Sequence, residues 1–472
     1  MKRIETDVCV VGAGSGGLSV AAGAVQMGAR VVLVEGHEMG GDCLNFGCVP
    51  SKSLLASAKR AHAMRETGPF GVAAATPEVD YAAAMAHVGR VIESIAPVDS
   101  QARFEGLGCT VIRDWARFVS ETEIEAGDVR ISARRFVLAT GSRPHIPPIE
   151  GLDGVDYLTN ETLFDLRTCP EHLIVVGGGN VGIEMAQAHR RLGARVSVLE
   201  RGRALGGDDP EMAAIVLGRL RAEGIEIHEG QAVQRVSRHG PGIAVETAQA
   251  RYEGSHLLIA AGRRTAFDRL DLAAGKVAQK DGAVVVGDDL RSSTNKRVYV
   301  IGDAAGGRQF THVAGYHAAQ VIRPILFGLP ARIRHDHVPW CTYTDPEIAH
   351  VGLTEAQARQ SHGKRIEVVR HDYADNDRAR AEGLAVGRIK VSILRGRPVG
   401  ATIVGPGAGE LIAMWSMAIA NRSKMKAIAD TVLPYPTLSE INKRAAGAYF
   451  SPRLFDSSVI KTVVGLVQKY LP

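Results

Sequence analysis

At 472 residues the chain is too long for a single hydrophobic core, and roughly two to four domains are expected. Its 56 basic and 51 acidic residues leave a net charge of +5 with no Lys/Arg block, which argues against a nucleic-acid partner. No apolar run approaches the length of a transmembrane segment, and Glu5 and Asp7 fall where a signal peptide would be apolar. With few cysteines and no export signal, a reducing cytoplasm is the expected compartment.

In chain order, residues 4–11 (IETDVCVV) read as a β-branched strand entering the turn GAGSGG. An Ala-rich helical stretch follows, then a second strand, RVVLVE, that ends at Glu35. This βαβ unit puts Gly12, Gly14 and Gly17 in its first turn and an acid at the close of its second strand. The glycines let the backbone approach a pyrophosphate, the helix N-terminus supplies positive dipole, and the carboxylate accepts bonds from a ribose diol.

Next comes GGDCLNFGCVPSK (40–52), a glycine-flanked turn running into a helix, with four residues between Cys43 and Cys48. The spacing is wrong for a thioredoxin-type pair, and a zinc site would need two more ligands nearby, so no metal centre is expected. Cys9, Cys109, Cys169 and Cys341 form no second close pair. In a reducing compartment such a pair points to catalysis over structure.

FVLATGSRPHIPPIEG (136–151) is a strand followed by a proline-rich crossover, a domain boundary. The βαβ unit then recurs in HLIVVGGGNVGIEMAQAHRRLGARVSVLER, with Gly177, Gly179, Gly182 and a terminal Glu200. Two dinucleotide folds imply two dinucleotides, a bound flavin and a diffusible nicotinamide. LLIAAGRRT (257–265) repeats the strand-then-Gly-Arg pattern, and RVYVIGDAAGG (297–307) is a further strand ending at Gly302-Asp303. From about residue 337, strands such as GRIKVSIL and the helical runs GELIAMWSMAIAN and SKMKAIADTV mark a separate α+β domain.

The cysteine motif, both glycine-rich units, ATGSRP and GDAA together resemble the flavoprotein pyridine nucleotide–disulfide oxidoreductases over essentially the whole chain. That group contains dihydrolipoamide dehydrogenase, glutathione reductase and mercuric reductase. The resemblance implies an α/β fold: two dinucleotide-binding (Rossmann-like) domains plus a C-terminal α+β dimerisation domain. Expected boundaries are 1–148 for FAD binding, 149–264 for NAD(P) binding, 265–336 for a central domain completing the FAD site, and 337–472 for dimerisation.

By the same resemblance, Cys43 and Cys48 form a redox-active disulfide beside the flavin, Cys48 being the thiol that touches the ring and Cys43 the outer, interchange thiol. Lys52 and Glu184 match a pair near flavin N5. FAD is expected on Gly12, Gly14, Gly17, Glu35, Gly141 and Asp303, with the helix starting near Thr311 facing the pyrimidine. His312 in that stretch reads as a packing residue. NAD(P)H is expected on Gly177, Gly179, Gly182, Glu200, Arg201 and Gly262. The relatives are homodimers in which residues near the C-terminus complete the partner's site. The implied activity passes electrons from NAD(P)H through FAD and the thiol pair to a small-molecule acceptor, a disulfide or thiol compound.

Three departures qualify the match. Asn180 stands where the family usually has an aromatic lid. Glu200 favours NADH through the ribose 2′-OH, yet Arg201 and Arg203 would suit a 2′-phosphate. Tyr435, in LPYPTLSE, replaces the catalytic histidine, with Glu440 still at its usual offset. Mercuric reductase also carries a tyrosine there, so metal-ion or quinone reduction is the alternative activity, although the chain ends VGLVQKYLP without a cysteine pair. A non-enzymatic role in redox sensing or assembly is a further alternative. In the tail, Val459, Val463 and Val467 stripe one helical face that would pack on the dimer mate or dock a partner or membrane.

Overall fold

The computed structural model describes residues 1–471. Apolar β-branched runs form the centre of each sheet. Val31–Val34 and His172–Val176 are buried along their whole length, as strands covered on both faces must be. In the first sheet Thr110–Ile112, Val31–Val34, Lys2–Val11 and Val129–Leu138 run parallel in that order. Val298–Val300 then pairs in parallel with Phe136–Leu138, so a strand from beyond the second unit returns to complete the first sheet.

The second sheet repeats the order with Glu226–Glu229, Arg195–Glu200, His172–Val176 and His256–Ile259, all parallel. Helix α1 (Ser15–Gln26) follows the first strand of the first unit. Helices α2 (Gly41–Asn45) and α3 (Cys48–Arg65) come after its second strand. Helix α4 (Asn180–Arg191) is the counterpart of α1 in the second unit. The two crossings between the units, Ser142–Pro144 and Arg263–Thr265, pair antiparallel with each other.

Helix α5 (Thr311–Phe327) leads to the C-terminal part, a five-stranded antiparallel sheet covered by helices around fully buried Trp415. Helix α6 (Glu440–Phe455) packs on its edge strand Ile366–Asp372. Buried Lys390 of that sheet bonds to Asp209 of the second unit at 2.9 Å and to Glu355 at 2.7 Å, fixing the C-terminal sheet against the nucleotide-binding half. Helix α7 (Ser458–Tyr470) has no buried residue, and Val459, Val463 and Val467 are all exposed. Among the described residues no helix is long and apolar enough to cross a membrane.

Candidate redox site

A cavity of about 920 Å³ opens at the C-terminal ends of the first sheet's strands. Gly14, Glu35 and Trp115 line one end, and Cys43, Cys48, Lys52, Glu184 and Tyr343 line the other. Gly12 has φ +104°, and a Cβ there would lie 2.4 Å from the Ala139 carbonyl oxygen. One on Gly17 would lie 1.8 Å from the Gly12 carbonyl, so this glycine lets α1 sit against the strand. A Cβ on Gly14 would meet only Gly41, at 3.9 Å, and Gly14 caps α1 without any side-chain bond. The free N–H groups of the first helical turn therefore face the cavity and suit a pyrophosphate.

Glu35 is held by the N–H groups of Ala13 (2.6 Å) and His37 (2.7 Å), each on a different carboxylate oxygen. Asp303 accepts a bond from the Ser142 hydroxyl at 2.6 Å, and burial pushes its carboxyl above the ordinary range. Gly141, at φ +67° with no atom near its missing Cβ, lines the cavity beside it. An uncapped helix end, an anchored acid and a second carboxylate along one open cleft fit an extended FAD.

The second unit reproduces this geometry. A Cβ on Gly177 would lie 2.3 Å from the Ala260 carbonyl, and one on Gly182 would lie 2.0 Å from the Gly177 carbonyl, while Gly179 is open. Glu200 accepts from the N–H groups of Gly178 and Gly202, both at 2.7 Å. Arg201 and Arg203 are exposed and form no hydrogen bond or ion pair among the described residues. Gly262 accepts from the His145 N–H where the two crossings pair.

The two cysteines lie on different helices. Cys43 sits inside α2, Cys48 is the first residue of α3, and Gly47 separates them where a Cβ would press on Asp42. Asn160 of the second unit bonds both Asp42 (3.0 Å) and the Phe46 carbonyl (3.2 Å), pinning this loop. Both thiols are free and lie beside each other. Cys48 opens onto the cavity 3.2 Å from the Thr311 hydroxyl at the start of α5.

The Cys43 thiol, the Thr311 hydroxyl and the nearby Lys52 charge outweigh burial and lower Cys48 to about 6. The dipole of α3 acts in the same direction. The neighbouring Cys48 and burial push the Cys43 thiol up. Above pH 6 the reduced pair is therefore a Cys48 thiolate beside a Cys43 thiol.

Lys52, one turn along α3, contacts Glu184 of α4 at 2.6 Å, and the other oxygen of this buried acid accepts from the Tyr343 N–H at 2.8 Å. Lys52 also lies 4.5 Å from the centre of the Tyr343 ring. One ion pair thus joins both nucleotide units and the C-terminal sheet at the cavity. Asn180, at the start of α4, lines the same space. His312 stacks on Phe310, and its Nε2 lies 2.7 Å from the Pro339 carbonyl.

Tyr435 and Glu440 do not line this cavity. Tyr435 is 68% exposed, and its hydroxyl donates to Asp377 at 3.0 Å, a bond that raises the phenol pKa. Glu440 begins α6, and its Oε2 is buried without a hydrogen-bond partner among the described residues. Sequence reasoning missed Ser142, Asn160, Tyr343, Asp377 and the Thr311 hydroxyl.

The pyridine nucleotide-disulphide oxidoreductase model matches residues 6–318, and the model of that family's dimerisation domain matches 338–446. The chain is 33% identical to mercuric reductase from Streptomyces lividans, over 94% of this chain and 96% of that protein. It is 31% identical to dihydrolipoyl dehydrogenase from Bacillus subtilis, with the same shares covered. Among solved structures, the Cu(II) complex of the HOCl-induced flavoprotein disulfide reductase RclA from Escherichia coli superposes with a TM-score of 0.83 at 26% identity, covering 93% of this chain and 99% of that one. The chain belongs to the pyridine nucleotide-disulphide oxidoreductase family, whose members depend on FAD, use NAD(P)H and dimerise through the C-terminal domain.

A pH titration tests the thiolate directly. If the Cys48 thiolate lies against the flavin, the reduced, FAD-loaded protein should show a long-wavelength thiolate-to-flavin charge-transfer absorbance, expected to fade as pH falls through about 6. Thr311→Val removes one donor to the thiolate and is expected to raise the midpoint. An unchanged midpoint would show that the hydroxyl does not support the charge.

Proposed function

We propose that the protein moves electrons from NAD(P)H through FAD to Cys43 and Cys48, and from them to a small-molecule acceptor, a disulfide or thiol compound. The observation carrying this reading is the asymmetric thiol pair in one cavity with Lys52, Glu184 and the start of α5. Bound FAD would supply the chemistry that accepts hydride from the nicotinamide and delivers its electron pair to sulfur.

The chain's own groups do the rest. A hydride carries two electrons and one proton, and opening a Cys43–Cys48 disulfide to one thiolate and one thiol takes up just that. Cys48 keeps the negative charge and Cys43 the proton, so near pH 7 this step draws no further proton from solvent. Cys43 is then the thiol that meets the acceptor. Lys52, kept in place by Glu184, would hold a positive charge beside the flavin when FAD is bound. The uncapped N–H groups of α5 point toward the cavity and would favour negative charge arriving on the bound cofactor. Tyr435 and Glu440 act across the dimer, at the partner's thiol pair. A reducing cytoplasm suits a cycle that passes through free thiols.

The second reading is a metal ion as acceptor. It is favoured by Tyr435 in place of an imidazole and by the mercuric reductase relatives. Consumption of NADH and NADPH measured against disulfides, quinones and metal ions separates the readings. Failure to bind FAD, or no consumption with any acceptor, would overturn both.

NADH is expected to be the better donor. The two N–H bonds that anchor Glu200 leave lone pairs for the ribose hydroxyls. Losing one bond to a carboxylate costs about 1.5–3 kcal/mol, roughly ten- to hundredfold in binding. A kcat/KM for NADPH equal to or above that for NADH would assign the site to Arg201 and Arg203 instead.

A further inference from the structure

The two nucleotide units match through the glycines and the anchored acid but differ immediately after it. Behind Glu35 the chain continues as Gly36, where a Cβ would lie 2.4 Å from the Trp115 ring, so glycine is needed for the indole to lie there. Trp115 directly precedes the strand Ala116–Phe118, lines the cavity, and is 39% exposed. The Arg269 guanidinium carbon stacks 4.1 Å from the centre of its ring, and that of Arg143 lies at 6.0 Å. Behind Glu200 the chain continues as exposed Arg201, Gly202 and Arg203, and among the described residues neither arginine joins a cation–π pair.

We propose that Trp115, backed by Arg269 and admitted by Gly36, is the adenine wall of the FAD site and slows the release of FAD from it. The proposal rests on the reading that FAD fills the cavity. Glu35 takes the adenosine ribose, so the attached base extends past it toward Trp115. An indole with a guanidinium against it is a broad polarisable surface that a purine stacks on, and such stacking withstands water better than a rim hydrogen bond does. A donor that must leave after every turnover gains nothing from such a wall.

The test is FAD release from the loaded protein into mild chaotrope, followed by the fluorescence of free FAD, in wild type, Trp115→Phe and Trp115→Leu. Leucine fills the space without a ring face, and phenylalanine keeps one. Release is expected to be roughly ten- to hundredfold faster with leucine, and within a few-fold of wild type with phenylalanine. Gly36→Ala, which displaces the indole, is expected to behave like the leucine variant. Equal release from the leucine and phenylalanine variants would overturn the proposal. A wild-type protein that holds no FAD would instead overturn the reading of the cavity itself.

Discussion

Cys48→Ser is expected to abolish electron transfer to a disulfide acceptor, by at least about a thousandfold, while the protein still binds FAD. A serine hydroxyl neither forms the sulfur–sulfur bond that stores the electron pair nor ionises near pH 7. The cofactor cradle of Gly12, Gly14, Glu35 and Asp303 is built without the thiol, so colour and fold survive the change. Cys43→Ser should be just as inactive toward disulfides but differ in its spectrum. It leaves Cys48 at the start of α3 with the Thr311 hydroxyl and the Lys52 charge, so a thiolate persists in the oxidised enzyme. Long-wavelength absorbance is therefore expected in the Cys43 variant and absent from the Cys48 variant. The hydroxyl that replaces the Cys43 thiol can still donate to Cys48, so the band is expected to titrate close to the wild-type pH. The reverse pattern of absorbance would exchange the roles of the two thiols.

Which parts of this site were legible in the sequence follows from how local each constraint is. The glycine turns were readable because their reason is steric and near at hand: a side chain on Gly12 or Gly17 collides with adjacent backbone. The repeat of that turn before Asn180, each time ending in an acid, made the duplicated fold readable as well. The cysteine pair stood out by spacing, but the break that puts its members on separate helices did not, because it depends on Gly47 closing against Asp42 and on Asn160 arriving from the second unit. The helix start at Thr311 is legible in the sequence, yet its hydroxyl reaches Cys48 across 263 residues, and no local pattern encodes that. The Asp377 bond to Tyr435 spans 58 residues, from the first residue of the short helix Asp377–Ala381 to a loop, and is equally silent in the sequence.

Tyr435→His is expected to raise turnover of dihydrolipoamide or glutathione disulfide by about 10²–10⁴-fold and to change quinone reduction little. In thiol–disulfide exchange a base takes the proton from the attacking thiol or returns one to the leaving thiol. A phenol with an ordinary pKa of about 10 is a poor base near pH 7. Here it is poorer still, because the bond to Asp377 raises that value and commits the phenolic proton to the carboxylate. The exposed side of the oxygen is then an acceptor only, able to receive a bond from a thiol or to touch a soft metal ion but not to protonate a leaving sulfur. A histidine restores a group that titrates near neutrality, and the buried, unpartnered oxygen of Glu440 can take its second N–H. Quinones drawing electrons from the flavin bypass this relay, which makes them the internal control. Asp377→Asn refines the test: it frees the phenolic proton without supplying a base, so it should leave disulfide turnover far below that of the histidine variant. If wild type already turns over dihydrolipoamide briskly and the histidine adds nothing, then solvent or another group supplies the base, and Tyr435 is a neutral replacement.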